Sequence, residues 1–393
     1  YTHHNQDTEF RLMVKRAIEK GTKKLRTQLS KPKADRLLKA ENPKANRSYH
    51  SGRLAIGLLA LIKGGVPKND PVLVSCLNEL RNRTLVDTYS LGNALMALEA
   101  YYQPASEMSL LRSGTIDRPA KRKVPNADRA LMEKWVTRLL TNIDTRVDAE
   151  YLVRFNYVGG GRYDNSVHQY GLLGLYAAHL CGVEIKPSVW EAAANHLLDD
   201  QQEGGKRIGL ELMDYRTHTR MQFDPEGSYT TARMYGNANG WSYVAPGHGD
   251  GEANIWGSMT CAGITGLAIC QAAILDHKKM KRQKLQSDAN RARNDGFAWL
   301  AQNMTVRYHP GALTRQHRWH YYYLYGLERA ALLSGVALIQ DRDWYFEGAL
   351  MLVLAQLENG DWPAEVTGDE QIERNAMAIL FLKQSTSPVL TGK

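Results

Sequence analysis

Two histidines near the starts of predicted helices are the side chains best suited to move a proton. His168 follows Asp164 by four residues, a spacing that places both side chains on one face of a helix. An imidazole oriented by a carboxylate can act as a general base. A core histidine that bonds to a neighbouring carbonyl group fits the same pattern equally well. His320 precedes Tyr321, and such a pair could take a proton from a uronate and return it to a sugar oxygen, as in a lyase.

A long polar segment contains a second group of acids. Asp250 and Glu252 are separated by one glycine, and a pair of carboxylates could perform general acid–base chemistry there. Turn formation by glycine and aspartate explains these residues at least as well. Trp241 and Trp256 lie in the same segment and could stack on sugar rings or hold the segment in place.

The predicted ligand contacts are polar, charged or aromatic residues, most of them near the starts of apolar helices. They are His50, Tyr89, Arg162, Asn165, Trp241, Trp256, Arg318 and Glu373. Helix amino ends carry partial positive charge and unpaired N–H groups, and nearby arginines add to their attraction for anions. The sequence therefore predicts a cationic cavity mouth. Asp87 and Asp164 are explained most simply as helix caps.

Helix-period patterning divides the chain into six pairs of segments, each an amphipathic helix followed by an apolar one. The amphipathic, outer helices are predicted at 7–29, 70–82, 126–142, 188–202, 289–303 and 342–357. The apolar, inner helices are predicted at 51–63, 88–102, 166–181, 257–275, 319–334 and 371–383. Such pairs cannot bury their apolar faces alone, so neighbours must stack. We expect an all-α protein, an α/α toroid of about six helical hairpins whose polar clusters share one rim of a central cavity.

The chain of 393 residues is predicted to form a single domain, 1–393, with insertions between the paired helices. Residues 103–125 form a short basic insertion. Residues 203–256 are rich in Gly, Tyr, Asn and Asp, and long loops of this kind are usually functional or disordered. Because this segment joins an outer helix to an inner one, we expect it to lie over the cavity mouth as a lid or wall. Three joints between pairs share a Gly-Val step, at Gly65, Gly182 and Gly335, where glycine supplies a left-handed helix cap.

The pattern of helix pairs resembles the repeat family of squalene cyclases and protein prenyltransferases. Gln356-Leu-Glu-Asn-Gly360-Asp-Trp362 is similar to that family's Q-x-x-x-G-x-W motif, and Gln201-Gln-Glu-Gly204 is a weaker copy without the tryptophan. The resemblance covers most of the chain and implies a toroid of α-helices. The acidic Asp-x-Asp-Asp sequence of squalene-type cyclases does not occur in this chain, and no cysteine stands two residues after Asp87, where the prenyltransferases have a zinc ligand.

Amino-acid composition indicates which classes of ligand and partner the protein could bind. The formal net charge of +9 favours an anionic partner, but no nucleic-acid recognition signature accompanies it, so nucleic acid is not expected. The four cysteines lie in apolar helical patterns without metal-ligand spacing, which predicts buried thiols, no metal and no cofactor. We expect no transmembrane segment. A start at Tyr1 rather than Met is compatible with an exported, processed protein, and the compartment and oligomeric state are left open.

Three functions fit these observations. The leading prediction is a binding or catalytic site for an anionic small molecule or oligosaccharide, with acidic carbohydrates first and lyase- or hydrolase-type acid–base chemistry. The second is an isoprenoid cyclase or prenyltransferase, which rests on the resemblance alone. The third is a non-catalytic interaction scaffold, a common use of helical repeats.

Overall fold

The computed structural model describes residues 8–30, 49–146, 148, 150–161, 163–221, 234–244, 254–276, 283–311, 318–364 and 371–389. Its helices are α1 (Thr8–Leu29), α2 (His50–Lys63), α3 (Pro71–Arg81), α4 (Thr88–Tyr102), α5 (Glu107–Arg112), α6 (Asn126–Leu140), α7 (Asn165–Leu180), α8 (Pro187–Asp199), α9 (Gly257–Leu275), α10 (Gln283–Asn303), α11 (His320–Leu333), α12 (Trp344–Ala355) and α13 (Gln371–Lys383). Its strands are β1 (Arg207–Gly209), β2 (Leu212–Asp214), β3 (Tyr235–Asn237) and β4 (Val336–Ile339). The protein is predominantly helical, as expected, and every predicted outer or inner segment is a helix.

Aspartate side chains fix where several of these helices begin. Asp70, Asp87, Asp164 and Asp343 each accept a hydrogen bond from a backbone N–H group in the first turn that follows. Such a cap satisfies a donor that has no partner within the helix and stabilises it by about 0.5–2 kcal/mol. The predicted capping roles of Asp87 and Asp164 are confirmed.

The predicted glycine stops are present at the three similar joints. Gly65, Gly182 and Gly335 have φ angles of 91°, 83° and 68°, the left-handed region that disfavours residues with a Cβ atom. The four cysteines are all buried thiols, as predicted.

Six apolar helices form the centre of the molecule, and each packs against two of the others. These core helices are α2, α4, α7, α9, α11 and α13, and their contacts follow that order, with α13 packing against α2 again. The flanking helices α1, α3, α6, α8, α10 and α12 pack against these core helices, for example α6 against both α4 and α7. Most of the buried apolar side chains belong to this one cluster.

The Gln-x-x-x-Gly-x-Trp motif joins the last flanking helix to the first. The Gln356 amide donates to the carbonyl oxygen of Ala17 in α1 at 3.0 Å. The indole N–H of Trp362 donates to the carbonyl of Leu352 at 2.9 Å, and its ring lies against Gly21 of α1 so closely that a Cβ there would meet it at 2.6 Å. The motif is therefore structural, and it ties segments that are more than 300 residues apart.

The same arrangement recurs at α8, with its tryptophan supplied from much further along the chain. The Gln201 amide donates to Ala292 of α10 at 2.8 Å, as Gln356 does to Ala17. The indole of Trp241 donates to Leu197 at 2.8 Å and packs on Gly296 of α10. The copy at Gln201 has no tryptophan at the motif spacing, as the sequence shows, and Trp241 takes that role from beyond residues 205–240.

The long insertion is not wholly irregular. Strand β1 pairs with β3 across its base, and β2 pairs with β4, which precedes α12. Tyr215 and Arg216, just after β2, line a cavity together with Lys63 and Lys383 at the carboxyl ends of α2 and α13. Of the predicted lid, the described part that reaches the amino ends of the core helices is the stretch around Tyr243 and Trp256. Residues 222–233 and 245–253 lie outside the described residues.

Helix α9 is the one described helix whose length and composition would suit a membrane span. Gly257–Leu275 is 19 residues long and uncharged, long and apolar enough to cross a membrane, and 94% of its most apolar window is buried inside the protein. It packs against α7, α8, α10 and α11. Burial among four helices accounts for its composition without a lipid contact.

Candidate functional site

A cavity of about 240 Å³ lies at the amino ends of the six core helices. Its described lining consists of Tyr49, Tyr89, Tyr157, Asp164, Ser166, Val167, Tyr170, Tyr243, Trp256, Arg318, Trp319, Tyr322, Glu373 and Met377. Every core helix contributes a residue from its first two turns or its N-cap. This amino-end cavity lies where the sequence predicts that the six polar clusters meet.

Aromatic side chains make most of the cavity wall. Tyr89 meets Tyr49 and Tyr170 edge-on, with ring centroids 5.7 and 4.7 Å apart, and Tyr170 stacks on Tyr322 at 6.2 Å. Burial raises the pKa of Tyr89, Tyr157 and Tyr322 well above its usual value. These phenols stay protonated at neutral pH, so they can donate hydrogen bonds but cannot serve as bases.

Asp164 is the acid at the start of α7 and is held by three donors. Its Oδ1 atom accepts from the backbone N–H of Val167 at 2.9 Å and from the Ser166 hydroxyl at 2.6 Å. Its Oδ2 atom accepts from the Tyr157 hydroxyl at 3.1 Å. The carboxylate therefore caps α7, faces the cavity and orients Tyr157.

Glu373 is the second acid of the cavity and joins α13 to α2 and α4. It accepts from the Tyr89 hydroxyl at 2.8 Å and from Arg53 Nε at 3.4 Å. Its carboxylate raises the pKa of Tyr89 further, after the larger effect of burial. The predicted contacts Tyr89 and Glu373 are thus direct partners.

Arg318 and Trp319 form the wall where α11 begins. The Arg318 guanidinium lies 5.6 Å from the centroid of the Trp319 ring. Trp319 has a φ of 59°, in the left-handed region that is costly for a residue with a Cβ atom. Within the part of the chain that the structure describes, no carboxylate lies within ion-pair distance of Arg318.

His309, which the sequence analysis does not single out, holds this wall in place. Its Nε2 atom accepts from the backbone N–H of Ser258 at 3.0 Å, so Nδ1 carries the proton and donates to the Arg318 carbonyl at 2.9 Å. Burial lowers the pKa of His309 to about 3. The neutral ring packs edge-on against Trp256 at 5.0 Å. It connects the start of α9 to the loop before α11.

His168 lies outside the amino-end cavity, in the core between α7 and α8. Its ring packs against His196 at 4.8 Å and Phe155 at 5.9 Å, and it is 1% exposed. Burial lowers its pKa well below the usual value, with a smaller effect from His196. The structure therefore does not bring His168 and Asp164 together as a catalytic pair, because the Asp164 side chain is directed to the helix end.

His320 and Tyr321 also point away from the cavity. The Nε2 atom of His320 lies 2.9 Å from the Val306 carbonyl, and the Tyr321 hydroxyl donates to the Pro363 carbonyl at 3.1 Å. The predicted lyase-type pair is not assembled at the amino-end cavity. The neighbouring Tyr322 is the residue that lines it.

The other predicted contacts divide into structural and undescribed residues. The Asn165 side chain donates to the carbonyl of Ser242 at 2.8 Å, which ties α7 to the long insertion. Trp241 is fully buried in the motif at α8, and His50 begins α2 without lining the cavity. Arg162, Asp250 and Glu252 lie outside the described residues.

Two larger cavities have a smaller share of aromatic residues in their described lining than the amino-end cavity. One of about 1180 Å³ lies between α8 and α10, and Tyr151 is its single described aromatic residue. The other, of about 1080 Å³, lies at the carboxyl ends of α2, α4 and α13, and four of its many described lining residues are aromatic: Phe10, Tyr215, Trp344 and Tyr345. Among the described residues, no group of three or more His, Cys, Asp or Glu side chains is placed to hold a metal ion.

Comparison with known proteins gives no further guide to the site. No family model, curated protein or solved structure matches the chain.

Proposed function

We propose that the amino-end cavity binds a small carbohydrate, with acidic sugars as the first class to test. The observation that carries the proposal is the lining itself, in which eight of fourteen described residues are aromatic and two carboxylates and an arginine accompany them. Sugar rings have apolar faces that pack on aromatic side chains and hydroxyl groups that hydrogen-bond to charged ones.

The architecture that would create this cavity is an α/α toroid. The return of the contact order from α13 to α2 supports a closed arrangement of the core helices. The two Gln–Trp motifs support it as well, because each links one flanking helix to the next. In such a toroid the amino ends of the core helices surround one central opening, and their partial charges would act together on a ligand.

The volume of the amino-end cavity limits the ligand to a small molecule. Pockets for drug-sized molecules usually measure roughly 300–1,000 Å³, and the amino-end cavity is about 240 Å³. One or two sugar rings suit that space better than a long chain.

Arg318 supports an acidic sugar over a neutral one. An arginine that lacks a carboxylate partner within the described residues can form a bidentate pair with a ligand carboxylate. The described lining otherwise contains the two carboxylates of Asp164 and Glu373. A cationic mouth therefore stays a prediction, and three of the arginines that could contribute to it, Arg162, Arg233 and Arg315, are outside the described residues.

Direct binding measurements would test the proposal. Calorimetric titration of the protein with short oligosaccharides of glucuronate or galacturonate, and with their neutral glucose and galactose counterparts, should show tighter binding of the acidic set. Arg318→Gln should weaken the acidic ligands by about tenfold or more, since a charge-assisted pair contributes roughly 1.5–3 kcal/mol, and should leave neutral ligands nearly unchanged.

A matched variant separates the site from general charge. Arg220 is an exposed arginine that pairs with Glu211 at 3.1 Å, away from the cavity. Arg220→Gln should bind the acidic set like the wild type. Equal losses in both variants, or no binding of any sugar, would refute the proposal. Equal affinity for acidic and neutral sugars would refute the acidic preference alone.

An isoprenoid ligand is the second candidate, and the aromatic wall is what favours it. Ring faces stabilise cations that approach them, and carbocations form when prenyl chains cyclise. The missing Asp-x-Asp-Asp sequence and the small cavity weigh against it. Incubation with squalene and prenyl diphosphates, followed by product analysis, distinguishes the two candidates. If the protein binds neither sugars nor isoprenoids, an interaction scaffold is the best explanation of its fold.

A further inference from the structure

A second, smaller cavity lies among the core helices near their carboxyl ends. It measures about 90 Å³ and has largely apolar walls, with contributions from Leu59, Met96 and Leu173. Its lining contains three cations, Lys63, Arg122 and Arg329, and one carboxylate, Glu99. None of its described lining residues belongs to the amino-end cavity.

Arg329 is the unusual residue of this inner cavity. Its side chain is fully buried, with the residue 1% exposed, yet no carboxylate of the described residues lies within ion-pair distance of it. Its Nη2 atom donates to the Gln169 amide oxygen at 3.2 Å, and its guanidinium packs on the Tyr325 ring at 4.1 Å. The Nε and Nη1 atoms are buried and have no hydrogen-bond partner among the described residues.

The neighbouring acids are already engaged elsewhere. Glu328 accepts from the backbone N–H and the hydroxyl of Thr386 at 2.9 and 2.7 Å. Glu99 and Glu107 both pair with Arg122. A buried cation that lacks a counter-charge costs several kcal/mol, so proteins neutralise such groups or supply a partner. An arginine side chain stays protonated at physiological pH. The Tyr325 and Tyr170 rings stabilise part of its charge, and the two nitrogens without a hydrogen-bond partner can donate to an anion.

A larger, basic cavity adjoins the inner cavity. The cavity of about 1080 Å³ at the carboxyl ends shares Lys63 and Ser385 with the inner cavity. Seven of its lining residues are lysine or arginine and two are carboxylates. Helix dipoles explain cations at the ends of α2 and α13, but not Arg329, which lies a full turn inside α11. A basic outer cavity concentrates anions in front of the inner one.

We propose that the inner cavity is a binding site for a small monovalent inorganic anion of the size of chloride, held by Arg329. The geometry favours a halide over phosphate or sulfate. An oxyanion needs donors for three or four oxygen atoms, whereas the apolar walls and the two unpartnered guanidinium nitrogens offer few. This site does not depend on the carbohydrate proposal.

Thermal unfolding at constant ionic strength tests the site in solution. Sodium chloride would be exchanged for sodium gluconate, whose anion is too large to enter, and separate arms would contain bromide and phosphate. The melting temperature of the wild type should rise with chloride and bromide, as for any ligand that binds the folded state alone. Arg329→Gln should weaken this apparent halide affinity by at least tenfold.

Arg293 provides the matched control, because it is also fully buried but donates to Gln271 and Asn290 in α9 and α10. Arg293→Gln should keep the chloride response of the wild type. If Arg329→Gln does not fold, Arg329→Lys and a bromide-soaked wild-type crystal decide the matter. An anomalous peak within hydrogen-bond distance of Arg329 supports the site. Water alone at Arg329, stabilisation by phosphate but not halides, or an unchanged halide response in the Arg329 variants would overturn it.

Discussion

Glu328 is a single carboxyl group whose surroundings make folding sensitive to pH. Burial raises its pKa to about 7 from an ordinary value of 4.5, and the hydrogen bonds from Thr386 only partly offset that effect. Between these pH values the folded state binds more protons than the unfolded state, so the stabilising effect is complete below pH 4.5 and is lost as the pH rises to 7.

We therefore expect the unfolding free energy of the wild type, relative to Glu328→Gln, to fall between pH 5 and pH 8. The rise of the Glu328 pKa from 4.5 to about 7 corresponds to a free-energy change on the order of 3 kcal/mol. Urea denaturation of both proteins at the two pH values measures it. A pH-independent difference between them would show that Glu328 titrates normally in the folded protein.

Residue roles at the cavity were only partly predictable from sequence. Tyr89, Trp256, Arg318 and Glu373 line the cavity as expected, because each precedes or begins a core helix at its amino end. His168 does not. The core helices are apolar on all sides, so no polar stripe indicates which face of α7 points inward, and an Asp–His spacing alone was an insufficient guide.

Two core helices approach each other unusually closely at a pair of glycines. A Cβ atom on Gly92 of α4 would meet the Tyr170 carbonyl oxygen of α7 at 2.3 Å, and one on Gly174 would meet Gly92 at 2.8 Å. Gly92→Ala must push the helices apart, at a cost of about 1–3 kcal/mol for overpacking. Because Tyr170 lines the cavity, sugar affinity should fall together with stability.

Gly209 in β1 is the control for this substitution, since a Cβ atom there would meet nothing within 4 Å. Gly209→Ala should change the unfolding free energy by less than about 0.5 kcal/mol. Chemical denaturation of the two variants makes the comparison. A neutral Gly92→Ala would contradict the close approach of α4 and α7.

The elements themselves were the most predictable level of the structure. Helical periodicity, aspartate caps and glycine stops are local signals, and they located all twelve paired helices. Strands β1 to β4 have three or four residues each and depend on partners far along the chain. Three residues carry too little alternation to reveal such a strand. The sequence showed the second motif as a weaker copy, but the distance between Gly204 and Trp241 concealed the tryptophan that serves it.

At the scale of the whole molecule, Trp362 joins the two ends of the helical array. Trp362→Ala removes a fully buried side chain that packs against α1, and such a deletion costs about 3–5 kcal/mol. We expect amide hydrogen exchange to accelerate more in α1 than in α8, although α1 is distant in sequence. Exchange measured by mass spectrometry resolves both helices.

Trp190→Ala in α8 is the matched deletion, because Trp190 is also fully buried. It should accelerate exchange in α8 more than in α1. Identical exchange patterns in the two variants would mean that the link between α12 and α1 has no local effect. The sequence motif indicated a repeat, but it did not reveal that Gln356 bonds to α1, because that contact depends on the path of the entire chain.

The contact between α2 and α13 has a consequence for biosynthesis. Asn375 in α13 donates to Gln28 in α1 across 347 residues, and α13 packs on α2 as well. At about 5–20 residues per second, a ribosome needs roughly 15–70 s to make the chain between them. Throughout that interval the part of α2 that packs on α13 lacks its native partner, although α4 can already cover another part of the helix. The nascent chain is therefore a natural client for a chaperone that binds exposed apolar segments, and the final packing of α2 must follow translation of α13.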